Sequence, residues 1–109
     1  MRQLAPASER FLTTYPGDAE GFEWDEGNEE HLADHGITPW EVEEVFWNRP
    51  VWVPNKKEQS GDWKMVGRTD GGRRLSIITQ IKPAQRVLRA FTGWDCTPGE
   101  RTRYLRERS

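Results

Sequence analysis

The chain has 109 residues, 34% of them hydrophobic and 31% charged, which suits one compact domain and excludes two. No uncharged apolar run approaches the roughly 20 residues that a membrane span needs, so a cytoplasmic protein without membrane contact is expected. The single cysteine, Cys96, excludes an internal disulfide and a cysteine-built zinc site, leaving packing alone to hold the fold.

Residues 1–21 contain Pro6, Pro16 and Gly17 and show no sustained period, which predicts a loosely held arm, with a single domain over 22–109. Asp25 is a plausible N-cap for a short helix stopping at His35-Gly36. Thr38-Pro39-Trp40-Glu41 is a cleaner start. Thr38 caps, Pro39 takes the first helical position without losing a needed donor, and Glu41 completes a capping box. Val42, Val45 and Phe46 then fall at i, i+3 and i+4, on one face of a second helix that ends before Pro50.

Beyond Pro50, short β-prone runs separated by turn residues predict four strands: Val51 to Val53, Trp63 to Thr69, Arg74 to Ile81 and Arg86 to Thr92. Asp70-Gly71-Gly72 marks a hairpin, and Pro54 to Gly61 reads as a mobile loop. Thr97-Pro98-Gly99-Glu100 repeats the capping box and opens a basic closing helix. The expected architecture is α+β: two N-terminal helices, a four-stranded, mainly antiparallel sheet and a C-terminal helix.

The formal net charge of −2 conceals a division. Residues 1–48 carry two arginines against 12 acids, whereas residues 49–109 carry 14 basic residues against six acids. Any anion-binding surface must therefore come from the second half. The alternative is that acidic helices lie against a basic sheet and neutralise it.

Three constellations could carry chemistry. His31 and His35, four apart, share a helix face; the order His31-Leu32-Ala33-Asp34-His35 lacks the metalloprotease glutamate, so no metal is expected, and either imidazole is a candidate proton carrier or a helix-end packer. The basic constellation is Lys64, Arg68, Arg73, Arg74, Arg86 and Arg89. Cleaving RNA through its own 2'-hydroxyl needs a base, an acid and fixed cations around the phosphorane, and Arg68 and Arg89 are the first candidates for the cations. For each, a structural salt bridge to the acidic helices is the competing reading. Of the six tryptophans, most should be core in so small a domain, with Trp63 and Trp94 the best candidates to stack on an unpaired base beside Lys64 and Arg86. No cation or histidine lies within two residues of Cys96, so no activated thiolate is expected.

Taken together, Phe22-Glu23-Trp24-Asp25-Glu26, His31, His35-Gly36-Ile37-Thr38, Val42-Glu43-Glu44-Val45-Phe46, Gly67-Arg68-Thr69 and the run from Thr92 through Trp94 to Tyr104 resemble the BrnT family of toxin-like proteins, over about residues 22–108. The resemblance implies a RelE-like fold, a messenger-cleaving ribonuclease without cofactor, RNA as substrate and a BrnA-like antitoxin as partner. It places His35, Arg68 and Arg89 at functional-looking positions. The sequence also departs from the family pattern: Asn28 and Asp34 stand where lysines are usual, and Gly93-Trp94 where an Ala-Arg pair is. These changes weaken phosphate attraction, and a non-catalytic protein-binding module of the same fold is the alternative.

Overall fold

The computed structural model describes residues 15–55 and 62–107. A 3-10 turn at Pro16–Asp18 leads into β1 (Gly21–Glu23), α1 (Glu26–Asp34), α2 (Pro39–Trp47), β2 (Val51–Pro54), β3 (Trp63–Arg68), β4 (Arg74–Lys82), β5 (Val87–Asp95) and α3 (Pro98–Leu105). The class is α+β, but the sheet has five strands in the order β1-β5-β4-β3-β2 and is mixed rather than four-stranded. The extra strand, β1, precedes the two helices and pairs parallel with β5, Phe22 opposite Leu88 and Glu23 opposite Arg89. Three residues are too few to show an alternating pattern, and parallel pairing leaves no hairpin signal.

The first helix is set by a capping box that also uses Asn28: the Asp25 carboxylate accepts from the Asn28 N–H at 3.0 Å, and the Asn28 amide oxygen accepts from the Asp25 N–H at 2.8 Å. Thr38 with Glu41 and Thr97 with Glu100 form the other two boxes, each with proline in the first turn. Gly36 closes α1 at φ +71, a conformation that favours glycine.

Strand alternation divides the sheet. Met65, Leu75 and Ile77 point to α1 and α2 and form the main core with Leu32, Ile37, Val42, Val45 and Phe46. Lys64, Val66 and Arg68 of β3, with Arg74, Ser76 and Ile78 opposite them on β4, face the other way, where α3 crosses β3. β5 runs three residues beyond its expected end, to Asp95. Gly93 permits this, because a Cβ there would lie 2.6 Å from Ile77 Cδ1 and 2.9 Å from the Ser76 carbonyl oxygen. Pro16 and Ala19, inside the stretch read as an arm, are buried, while residues 1–14 and most of the loop expected at Pro54 to Gly61 lie outside the described residues. Among the described residues no helix is long and apolar enough to cross a membrane.

Candidate functional site

The acidic helices and the basic sheet meet through ion pairs. Arg89, on β5, donates to Asp25 at 2.6 Å and to Glu23 at 3.3 Å. Its hydrogen bonds, followed by that from the Asn28 backbone, bring the Asp25 carboxyl down to about 2. Lys82 meets the same Glu23 oxygen at 2.8 Å. Arg86, held at φ 58 in the β4–β5 turn, pairs with Glu20 at 3.1 Å.

At the opposite end, Arg68 Nε donates to Glu107 at 3.0 Å, its terminal nitrogen contacts the same carboxylate, and Arg74 reaches Glu107 at 3.0 Å. Lys64 is enclosed between β3 and α3. Its Nζ is 2.8 Å from Glu100 and 5.1 Å from the centroid of the Tyr104 ring, with only 18% of the side chain exposed. Burial works to raise the Glu100 pKa, but Lys64, the Thr97 N–H and the Trp94 indole N–H outweigh it and hold the carboxyl below its ordinary value. A guanidinium or ammonium already matched to a carboxylate has little left to offer a phosphate, which would have to displace that partner.

Nor do the nominated cations converge. Arg68 lies opposite Arg74 and Arg89 opposite Gln80, six residues along the same strand, or roughly 20 Å at the rise of a strand. They line separate hollows. Arg68 borders one of about 470 Å³ with Asn48, Arg49 and Asp70, and Arg89 borders one of about 290 Å³ with Asn28, His31 and Phe91. His35 lines neither; it is the exposed C-cap of α1, its ring 5.6 Å from that of His31. Trp63 and Trp94 sit on opposite faces of the sheet: Trp63 shares the parity of Met65 and meets Tyr15 edge-on, whereas Trp94 donates to Glu100 under α3. Among the described residues no group of three or more His, Cys, Asp or Glu side chains is placed to hold a metal ion. Cys96 is buried beside Ser76, and burial pushes its thiol up, away from the reactive thiolate.

Two residues that sequence reasoning undervalued each organise one end of the molecule. Arg73, just after the hairpin glycines, donates to Asp95 at 2.8 Å, to Glu41 at 3.0 Å and to the Gly36 carbonyl at 2.7 Å. Its pKa is raised, chiefly by Asp95. The guanidinium beside the His35-Gly36 turn is therefore Arg73. Asn28 is buried, and its amide donates to the carbonyls of Glu23 at 3.0 Å and Ala90 at 3.1 Å, joining α1 to β1 and β5. A capping-box asparagine at the third helical position was the sequence signal for it.

Among the described residues charge is left over in several places, including Glu26, Glu29, Glu30 and Asp34 of α1, which are in no ion pair. Among the described residues, Arg49, Arg101, Arg103 and Arg106 are in no ion pair, and neither are Glu43, Glu44 and Asp70. The latter three surround a groove on the outer side of α2 between Trp40 and Trp47, which are 72% and 66% exposed. No family model matches the chain, and no curated protein matches it.

Proposed function

We propose that the chain is a protein-binding module, BrnT-like in sequence and RelE-like in architecture, whose partner is a basic protein of the antitoxin kind. The observation that carries this reading is the pairing of every nominated phosphate ligand: Lys64 with Glu100, Arg68 with Glu107, Arg86 with Glu20 and Arg89 with Asp25, while acids on the outer side of α2 have no cation. A cationic protein is the complement of such a surface, and the complementarity sets encounter rate and partner choice. Under this reading the protein binds the basic product of a neighbouring reading frame, does not cleave single-stranded RNA, and leaves growth unchanged on induced expression. Cleavage lost in an Arg89→Ala or His31→Ala variant would sink it.

One observation favours a second reading, the ribonuclease toxin. His31 and Arg89 border the same hollow, so an exposed imidazole stands near a guanidinium as a proton carrier and a phosphate clamp would. In that case induced expression arrests growth, Arg89→Ala relieves the arrest, and RNA binding weakens steeply with added salt.

A further inference from the structure

The surface of α2 carries two opposed stripes. Val42, Val45 and Phe46 point into the core, and at 100° per residue Trp40, Glu43, Glu44 and Trp47, spaced i, i+3, i+4 and i+7, occupy the opposite pole. This is the pattern of a buried stripe facing solvent. A tryptophan normally buries much of a 150–250 Å² side chain, and two on one exposed pole, about 10 Å apart along the axis, form the kind of aromatic patch that marks an interface.

Both rings are held in place before any partner arrives. The Trp40 indole N–H donates to Glu44, and Trp47 packs edge-on against Phe46 with centroids 4.9 Å apart. Glu43 is fixed by the Trp24 indole N–H at 2.7 Å, and Glu44 also accepts from the Asp70 N–H at 3.1 Å. Asn48 donates to Asp70 at 2.9 Å. All these donors are neutral, so none of them brings a compensating positive charge to the groove. The groove they enclose is about 450 Å³ and has no lysine or arginine in its lining.

We infer that this outer face of α2 docks a basic amphipathic segment of another protein, an apolar side chain entering between Trp40 and Trp47 while arginines or lysines meet Glu43, Glu44 and Asp70. Cations over the indole faces add to the ion pairs, and rings fixed in advance reduce the ordering cost of binding. The inference rests on the protein-binding reading and names its surface.

The test uses the full chain and a synthetic helical peptide of about four turns with leucine and arginine at alternating i+3 and i+4 spacing, titrated calorimetrically. Binding to the wild type is expected to be micromolar and to weaken roughly fivefold or more as salt rises from about 50 to 300 mM. A Trp40→Ala/Trp47→Ala variant should bind roughly tenfold more weakly. Glu43→Gln/Glu44→Gln, which keeps the indole hydrogen bonds, should lose most of the salt dependence. Circular dichroism checks that both variants stay folded.

Equal binding by the wild type and the double tryptophan variant overturns the inference. So does a self-association that Trp47→Ala abolishes, which would make a second copy the occupant. A change in tryptophan emission on Arg2→Glu/Arg10→Glu in the absence of peptide assigns the groove to the chain's own first residues and also overturns it. RNA cleavage by the wild type would sink the protein-binding reading while leaving these isotherms as they are, so the two fail separately.

Discussion

The α3-facing side of the sheet and the outer face of α2 invert what their composition suggests. The sheet carries five basic residues of the second half on this side, yet Lys64, Arg68, Arg74, Lys82 and Arg89 all end on carboxylates. The helix face carries only a few acids, yet Glu43, Glu44 and Asp70 meet no cation and stand beside exposed tryptophans. Binding potential follows uncompensated charge next to apolar surface, and the count of like charges in a stretch of sequence does not measure it. The neutralised network also has a mechanical role, since it ties α1, α2 and α3 to the sheet. The two regions should therefore respond differently to mutation, the network losing stability and the helix face losing affinity.

The largest effect is expected at Asn28. Replacing it with alanine removes the half of the α1 capping box in which the Asn28 amide oxygen accepts from the Asp25 N–H, and takes the amide's donors from the Glu23 and Ala90 carbonyls, a loss of about 3 kcal/mol by summing three hydrogen bonds. In a denaturant melt this would move the midpoint without changing the slope. Asn28→Lys, the residue that the BrnT resemblance leads one to expect here, should destabilise comparably, because the amide's donors and acceptor are lost together. If it instead stabilises and induces RNA binding, the network is a weakened phosphate site and the contrast breaks.

Arg73→Ala comes next, at about 2 kcal/mol, through loss of its bonds to Asp95, Glu41 and Gly36 in a partly buried setting. That corresponds to a fall in Tm of roughly 10 °C for a domain of this size. Arg73→Lys should recover little, because one ammonium cannot span two carboxylates and a carbonyl with the geometry of a planar fork.

Acid should dissect the network more gently. Asp25 is held at about 2 against an ordinary 3.8, chiefly by hydrogen bonding from Arg89, and Asp95, Glu23, Glu41 and Glu100 are also lowered. A carboxyl lowered in the folded state contributes stability that is fully present above its unfolded pKa and is lost as pH falls through the folded one. Thermal stability should thus be flat from neutrality to about pH 5 and decline from about pH 4 to pH 2. In Asp25→Asn the lowest part of that decline should disappear. A decline that begins near pH 6 would mean that these carboxylates do not govern the transition.

How much of this was legible depended on whether a feature is local. The threonine capping boxes at Thr38 and Thr97, the hairpin glycines and the strand cores of β3 and β4 are written in adjacent residues, and the elements lie where those signals put them. β1 was not legible, because its partner lies 66 residues away, Glu23 opposite Arg89, and it alternates too briefly to show a period. The same distance hid the ion pairs. Sequence identified Arg68 and Arg89 as candidates and left salt bridges open for each, but only the strand register places them at opposite ends of β4. Two of the tryptophans expected to be core are not. The helical wheel around Val42, Val45 and Phe46 already put Trp40 and Trp47 on the far pole, and the general expectation that tryptophan is buried obscured it.

The smallest effect sharpens the contrast most. Trp40→Ala and Trp47→Ala should each change stability by no more than about 0.5 kcal/mol, the range of substitutions at exposed positions away from special features. Trp47 has more to lose of the two, because its ring edge packs on Phe46, whereas Trp40 gives up only a surface hydrogen bond to Glu44. Thermal melts of the single variants at neutral pH decide the matter. A drop above roughly 4 °C in either would show that the ring is structural, because that shift corresponds to nearly 1 kcal/mol in a domain of about 100 residues. With unchanged melting, two large apolar side chains kept on the surface contribute nothing to the fold, and docking a basic partner is the reason the outer face of α2 gives for them.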